Sequence, residues 1–270
     1  MSKKALLVAS FGTSYKETRE KTIDRIEDRM EGSFPEHDLY GAFTSEMIRR
    51  KIAKRDQDHR FNVEEALKHL KMEGYDEVVV QPTHILGGVE YEKVLFQSAA
   101  ARQNFKTIKV GRPLLHTQED YEQVIDAMAK HFDFVDPGSI LFMGHGSEHG
   151  ADSAYSKLNH MLWQKGYENT YVATVEGYPT FEDGLEYLKQ RKEGKVRLIP
   201  FMIVAGDHAQ NDMAAEEDSW KSQLEEKGYQ VEVRMEGIGE LLQIQQLFVK
   251  HAQDAAEGRE ILWSKEGRRQ

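Results

Sequence analysis

The stretch that decides the fold is "QPTHILGGVEYEK", residues 81–93, because a similar stretch, "IPFMIVAGDHAQN", occurs again at residues 199–211. Three pairs of residues keep the same separation of 118 positions: Pro82 and Pro200, Gly88 and Gly206, Glu90 and His208. Each stretch contains the end of an apolar run and leads into a segment of helical length, which is typical of a βαβ unit. The sequence therefore predicts two similar halves.

A second landmark shows where the halves differ. "ASFGTS" at residues 9–14 matches "MGHGSE" at residues 143–148, which places Phe11 opposite His145 at a separation of 134 residues. The larger separation means that the first half has extra residues between the two landmarks. We assign the insertion to "IRRKIAKRDQDHRFN", residues 48–62, and its neighbours.

Eight short apolar runs are candidate strands: "KALLVAS", "DLYGAFT", "EVVVQP" and "TIKVGRP" in the first half, and "SILFMG", "TYVATVE", "VRLIPFMIV" and "VEVRM" in the second. Segments of helical length separate them, so we predict an α/β fold of two similar Rossmann-like lobes, each a parallel sheet flanked by helices. The N-terminal lobe is predicted at residues 1–115. The C-terminal lobe, with a closing helix at residues 239–256, is predicted at residues 116–258, and a loose tail at residues 259–270.

The composition excludes several classes of function. The chain of 270 residues contains no cysteine, which excludes disulfides, thiol nucleophiles, iron–sulfur clusters and zinc sites built on cysteine. The formal net charge of −10 argues against nucleic acid as a partner. We find no signal peptide and no apolar run of membrane-spanning length, so we expect a cytoplasmic protein.

Candidate site residues follow the predicted strands, where parallel sheets bind ligands. His145 and Glu176 come after two strands of the second half, and His208 lies at the start of a later helix. Glu90 occupies the position of His208 in the first half. Each residue alone is explained by a structural role, such as an exposed histidine at a helix start. Jointly, they predict a site in a cleft between the lobes.

Other interpretations of the same segments are weaker. His145 and His149 have the spacing of a helical zinc pair, but the glycines between and around them disfavour a helix. The G-x-G-x-x-x-G spacing has one residue too many for the dinucleotide fingerprint, so nucleotide binding is a secondary alternative. Four acidic residues of the following segment are predicted to form a solvated helix face: Asp212, Glu216, Glu217 and Asp218.

Seven motifs in order resemble one family: "KKALLVASFGTSY", "AFTSEMI", "HILGGVEYEK", "GRPLLHT", "FMGHGSEHG", "VEGYP" and "PFMIVAGDHAQNDM". From about residue 3 to about residue 256 the chain resembles the CbiK-type anaerobic sirohydrochlorin cobaltochelatases, class II chelatases that are distantly similar to ferrochelatase. The resemblance implies ATP-independent insertion of Co²⁺ into sirohydrochlorin during cobalamin biosynthesis. It also implies metal binding by His145, Glu176 and His208, and catalytic roles for His145, His208 and Glu90. Gly88 and Val89 depart from the polar residues expected before that glutamate.

The donor set agrees with this chemistry. Two imidazoles and a carboxylate suit Co²⁺, Ni²⁺, Fe²⁺ or Zn²⁺ and leave coordination positions open for macrocycle nitrogens. Iron or nickel insertion into the same tetrapyrrole therefore stays an alternative. A non-catalytic carrier of metal or tetrapyrrole and a nucleotide-dependent α/β enzyme are alternatives from other classes.

An acidic protein needs local positive groups to bind a macrocycle with many carboxylates. The cationic run "RRKIAKR" supplies Arg49 and Arg50 as candidates, although the run also fits an ordinary solvated helix face. Ser10, Thr13 and Ser14 near the start of the first helix are further candidates, because free N–H groups at a helix start bind carboxylates. A homo-oligomer is left open.

Overall fold

The computed structural model describes residues 2–135 and 137–259, which form two four-stranded parallel sheets flanked by helices. The first sheet has the order β2-β1-β3-β4, with β1 at Lys4–Ser10, β2 at Asp38–Phe43, β3 at Glu77–Pro82 and β4 at Thr107–Val110. The second has the order β6-β5-β7-β8, with β5 at Ser139–Gly144, β6 at Thr170–Thr174, β7 at Lys195–Pro200 and β8 at Gln230–Val233. The predicted fold class is confirmed.

Ten α-helices connect and cover these strands in the described part of the chain: α1 Lys16–Lys21, α2 Ile23–Ser33, α3 Glu46–Asp56, α4 Val63–Met72, α5 Val89–Ala101, α6 Gln118–Phe132, α7 Ser153–Gln164, α8 Phe181–Arg191, α9 Trp220–Glu226 and α10 Leu242–Ala256. Short 3₁₀ turns lie at Arg102–Asn104, Gly150–Asp152 and Ile238–Glu240, and a π-helical turn lies at Ala209–Met213. None of the helices in the described residues is long and apolar enough to cross a membrane.

The central strands are buried along nearly their whole length, which requires helices on both faces of each sheet. All six residues of β5 and six of the seven residues of β1 are buried. Side chains fix where several helices begin: Ser45 caps α3, Asn62 caps α4 and Thr117 caps α6, each accepting from a backbone N–H three residues on. The strand ends are thereby held at defined positions for a site.

The sheet registers reproduce the internal repeat. Ala9 of β1 pairs with Pro82 of β3, and Met143 of β5 pairs with Pro200 of β7, so the separations of 134 and 118 residues both persist in the structure. Two helices, α3 and α4, join β2 to β3, whereas only α8 joins β6 to β7. The extra helix α3 lies within the predicted insertion.

Residue contacts divide the chain into two compact units. The first contains the described residues up to His116 and those from Gln245 on, and the second contains Thr117–Ile244. The closing helix thus differs from the expectation that it belongs to the C-terminal lobe: most of α10 packs with the first unit. Asp254 lies 2.6 Å from the Arg112 guanidinium, and Lys109 Nζ donates to the Ala256 carbonyl at 2.8 Å. Chain order alone suggested the other unit, and these contacts decide against it. Residues 260–270 of the predicted tail lie outside the described residues.

Candidate metal site

Three predicted ligands meet at the carboxyl ends of strands in the second unit. His145 directly follows β5, Glu176 lies two residues after β6, and His208 lies at the start of the helical segment after β7. One donor atom from each residue lies within 4.8 Å of the others, and no other such group occurs among the described residues. The structure therefore brings together the metal ligands that the resemblance implies.

Two loops cross closely to bring His145 and Glu176 together. The Glu176 N–H donates to the His145 carbonyl at 2.9 Å, and the Val175 N–H donates to the Gly144 carbonyl at 3.1 Å. Gly146 has a φ of +77°, and a Cβ at this position would lie 2.6 Å from the Gly177 nitrogen. Glycine is required at residue 146 because neither this backbone conformation nor this approach tolerates a side chain.

The His145 ring is oriented by its own loop. Its Nδ1–H donates to the Gly146 carbonyl at 2.7 Å, because a carbonyl oxygen only accepts. In a neutral imidazole, this hydrogen bond selects the tautomer whose Nε2 lone pair can bind a metal ion. Glu176 Oε2 lies 3.9 Å from Nδ1, and both side chains are partly exposed. An incoming ion can therefore reach both groups.

His208 is oriented by a carboxylate. Its Nδ1 lies 2.7 Å from Asp212 Oδ2, so Nδ1–H donates to the carboxylate and Nε2 is left as the ligand atom. The rings of His145 and His208 lie nearly perpendicular, with centroids 4.4 Å apart. Carboxylates in this position raise the basicity of metal-binding imidazoles. The solvated-face assignment is therefore wrong for Asp212, which lies in the π-helical turn and faces His208.

The other local candidates do not join this group. His149 Nδ1 accepts from the Ala151 N–H at 3.1 Å, so this nitrogen caps the turn at Gly150–Asp152. The helical pair of His145 and His149 is absent, as the glycines indicated. Glu216, Glu217 and Asp218 lie in bends beyond the π-helical turn and form no helix face.

Glu90 lies in the first turn of α5 in the first unit. Its Oε2 atom is buried and has no hydrogen-bond partner in the described structure, and Lys93 Nζ lies 3.9 Å away. Lys93 also donates to the Thr44 carbonyl at 2.8 Å. The helix start and the nearby Lys93 ammonium both place positive charge beside this side chain.

His84, which no sequence motif singled out as a site residue, lies near Thr44 and Lys93 in the first unit. His84 Nε2 is 3.3 Å from Thr44 Oγ1, and its Nδ1 is buried without a hydrogen-bond partner in the described residues. Burial, with a smaller contribution from the Lys93 charge, lowers the pKa of His84 to about 4. This imidazole is therefore neutral near pH 7. Its position two residues after β3 was the available indication.

The first unit repeats the backbone frame of the metal site with different side chains. The Ser45 N–H donates to the Phe11 carbonyl at 3.2 Å, just as the Glu176 N–H donates to the His145 carbonyl. Three first-unit residues thus occupy the positions of the metal ligands: Phe11 for His145, Ser45 for Glu176 and Glu90 for His208. Only Glu90 has a donor atom that metals commonly bind.

The hydroxyl residues proposed for substrate carboxylates are buried. Ser10, Thr13 and Ser14 have exposed fractions of 2 to 4%. Ser10 Oγ accepts from Thr83 Oγ1 at 2.8 Å, and Thr13 Oγ1 accepts from the Tyr15 N–H at 3.2 Å. Little of these side chains is therefore accessible to a carboxylate.

The two arginines have different environments. The Arg49 guanidinium contacts Glu46 Oε1 at 2.6 Å, donates to the Arg60 carbonyl at 2.8 Å, and also pairs with Glu65. These contacts tie α3 to α4. Arg50 is exposed and has no ion pair within the described residues. Of the two, Arg50 is the one available to an anionic substrate.

A family model and two curated relatives match this chain. The family model described as "Cobalt chelatase (CbiK)" matches residues 4–257. A sirohydrochlorin cobaltochelatase of Salmonella typhimurium is 39% identical over 94% of this chain and 96% of its own length. Sirohydrochlorin cobaltochelatase CbiKC of Nitratidesulfovibrio vulgaris is 33% identical over 84% of this chain and 82% of its own.

Solved structures show the same fold at lower identity. SirB from Bacillus subtilis, solved with Fe³⁺, superposes with a TM-score of 0.64 at 12% identity, covering 95% of this chain and 97% of its own. The family match spans nearly the whole chain, including both halves of the repeat and all three residues of the candidate metal site. The chain therefore belongs to the CbiK cobalt chelatase family.

Proposed function

We propose that this protein inserts Co²⁺ into sirohydrochlorin without ATP, as a step of anaerobic cobalamin biosynthesis. The observation that carries the proposal is the group formed by His145, Glu176 and His208, whose donor atoms lie within 4.8 Å of one another. The names of both curated relatives state the same activity for those proteins. We also propose a cytoplasmic location. The net charge of −10 supports the proposal that nucleic acid is not a partner.

The donor set suits an ion that is substrate rather than resident cofactor. Two neutral imidazoles and one carboxylate hold a divalent ion with three protein ligands, so the remaining positions are open to water or to macrocycle nitrogens. All three ligand side chains are between 33% and 57% exposed. This exposure allows water or macrocycle nitrogens to replace the protein ligands, so that the ion can leave. A deeply enclosed structural site would oppose such an exchange.

Glu90 is proposed as the group that handles protons. Two pyrrole N–H protons leave the macrocycle when a divalent ion enters, and a positioned carboxylate can accept them. The buried Oε2 atom of Glu90 supports this role, since it has an ion pair with Lys93 but no hydrogen-bond partner within the described structure. Arg50 is proposed to contact a substrate carboxylate.

The choice of metal is proposed from the relatives. Intrinsic affinity for divalent ions rises along the first transition row and does not single out cobalt, so the same ligands accept Fe²⁺ or Ni²⁺. Two relatives carry cobalt in their names, whereas SirB structures of similar fold were solved with Fe³⁺ and with cobalt. Cobalt is therefore the proposed substrate, with iron and nickel insertion as the alternative.

Turnover separates a chelatase from a carrier. Apo-protein at one-twentieth of the sirohydrochlorin concentration is mixed with Co²⁺, without nucleotide, and the absorbance change of the macrocycle is followed. A chelatase converts all of the tetrapyrrole, whereas a carrier stops after one equivalent.

His145→Ala and His208→Ala should each abolish turnover with the fold intact, and Glu176→Gln should weaken Co²⁺ binding. His160→Ala, an exposed histidine on α7, is the matched control and should keep wild-type turnover.

A further inference from the structure

Asp152 is a buried carboxylate at the base of the loop that carries His145. It is 8% exposed and ends the turn at Gly150–Asp152. Its Oδ2 accepts from the Ser147 N–H at 2.6 Å, and its Oδ1 accepts from Ser147 Oγ at 2.9 Å. Ser147 lies two residues after His145, so these two bonds close the ligand loop onto the start of α7.

The same carboxylate also lies against the loop that carries Glu176. A Cβ built on Gly177 would be 2.0 Å from Asp152 Oδ2, and 2.6 Å and 2.8 Å from the Ser147 nitrogen and oxygen. The Gly177 backbone therefore rests directly on the Asp152–Ser147 pair. Because Gly177 follows Glu176, Asp152 contacts both loops that present metal ligands.

We propose that Asp152 is a positioning residue that fixes the separation of His145 and Glu176 before the metal ion arrives. The proposal rests on the function proposed above, because it concerns the same ion. Both carboxylate oxygens accept hydrogen bonds from Ser147, so Asp152 acts on the metal site through the two loops and does not bind the ion itself. Without it, the part-buried Ser147 donors lose their acceptor and both loops gain freedom that Co²⁺ binding must then remove.

The test measures the Kd for Co²⁺ of the full-length apo-protein, without tetrapyrrole, by visible absorption titration. Asp152→Ala should raise the Kd about 10- to 100-fold, the usual cost of removing groups that orient metal ligands. Asp152→Asn should stay within about threefold of wild type, since its amide oxygen still accepts from the Ser147 N–H and its NH₂ donates to Ser147 Oγ. Gly177→Ala should also weaken binding, because its Cβ displaces the carboxylate.

Two control variants separate positioning from general stability. Asp120→Ala removes a second buried carboxylate of the second unit, which caps α6 by accepting from the Thr117 N–H at 2.8 Å. Gly150→Ala adds a methyl group in the same loop, where no atom lies within 4 Å of the new Cβ. Both controls should keep the wild-type Kd, even where Asp120→Ala lowers the melting temperature as much as Asp152→Ala does.

The outcomes distinguish two failures. If wild-type protein binds Co²⁺ through His145 and His208 but Asp152→Ala binds it equally well, the positioning role is overturned and the proposed function stands. If Asp120→Ala weakens binding as much as Asp152→Ala, the effect reflects stability and the positioning role is likewise overturned. A wild-type protein that does not bind Co²⁺ overturns the proposed function, and the role of Asp152 with it.

Discussion

Replacing Asp212 tests whether the carboxylate behind His208 strengthens the metal site. The distance of 2.7 Å between His208 Nδ1 and Asp212 Oδ2 is that of a charge-assisted hydrogen bond. Groups in this position usually contribute 10- to 100-fold to metal affinity. The His208 and Asp212 side chains are 33% and 43% exposed, and solvent screening favours the lower end of that range. We therefore expect Asp212→Ala to raise the Kd for Co²⁺ about tenfold, or about 1.4 kcal/mol.

The assay is a Co²⁺ titration of apo-protein at constant pH and ionic strength. Asp212→Asn keeps an acceptor for Nδ1–H but loses the charge, so its Kd should lie between those of wild type and Asp212→Ala. Glu217→Ala removes the same charge from an exposed position nearby and should leave the Kd unchanged. Equal values for Asp212→Ala and Glu217→Ala would show that only the overall charge matters, and would refute the local argument.

Three further predictions concern stability, substrate binding and pH. Burial raises the pKa of Glu27 from its ordinary value of 4.5 to about 7, so the native state binds this proton more tightly than the unfolded chain. Wild-type stability should therefore fall as the pH rises through this window, by up to about 3 kcal/mol; Glu27→Gln should melt higher than wild type at pH 8 but not at pH 4, and an equal gain from the exposed Glu31→Gln on the same helix would contradict this. Arg50→Gln should raise the KM for sirohydrochlorin and weaken its salt dependence with kcat unchanged, whereas Arg49→Gln should lower the melting temperature because it unties α3 from α4; steady-state kinetics and calorimetry would expose the reverse pattern. Co²⁺ affinity should fall on acidification because protons compete for the imidazole nitrogens, and an affinity that is flat between about pH 8 and about pH 5 would exclude histidine ligands.

The strand ends were the most predictable part of the fold. "KALLVAS", "EVVVQP" and "SILFMG" coincide with β1, β3 and β5 to the residue, since apolar runs bounded by glycine, proline or polar residues have few other solutions. The internal repeat predicted that the two sheets have matching strand registers, because its landmarks keep fixed separations. On this basis the sequence groups His145, Glu176, His208 and Glu90, and the family resemblance implies that the first three bind metal.

The residues that orient the ligands were not predictable in the same way. Asp212 was assigned to solvent because an acidic run usually is solvated, and only the π-helical turn at Ala209–Met213 shows which residue faces His208. Its spacing of four residues from His208 was the one available indication. The sequence offers no such indication for Asp152, because its role depends on a backbone contact with Gly177, 25 positions along the chain.

Chain order and local charge pattern each misled in one place. The closing helix was assigned to the nearer lobe, although its partners Arg112 and Lys109 come from the first unit. Arg49 was considered available for substrate because of its cationic run, yet Glu46, Glu65 and the Arg60 carbonyl already engage it. Long-range pairing of this kind depends on tertiary packing, which local patterns do not record.

The backbone frame shared by the two units has a consequence for loading stoichiometry. The path of the chain at Phe11 and Ser45 matches that at His145 and Glu176, so coordination depends on which side chains occupy the frame and not on the frame itself. If the proposed ligands in the second unit bind metal, the described residues offer a binding position to a single ion. The vacant frame also sets a target for protein engineering: Phe11→His, Ser45→Glu and Glu90→His together would place the same donor set on the first sheet, and a second equivalent of bound Co²⁺ would measure how completely three side chains specify the site.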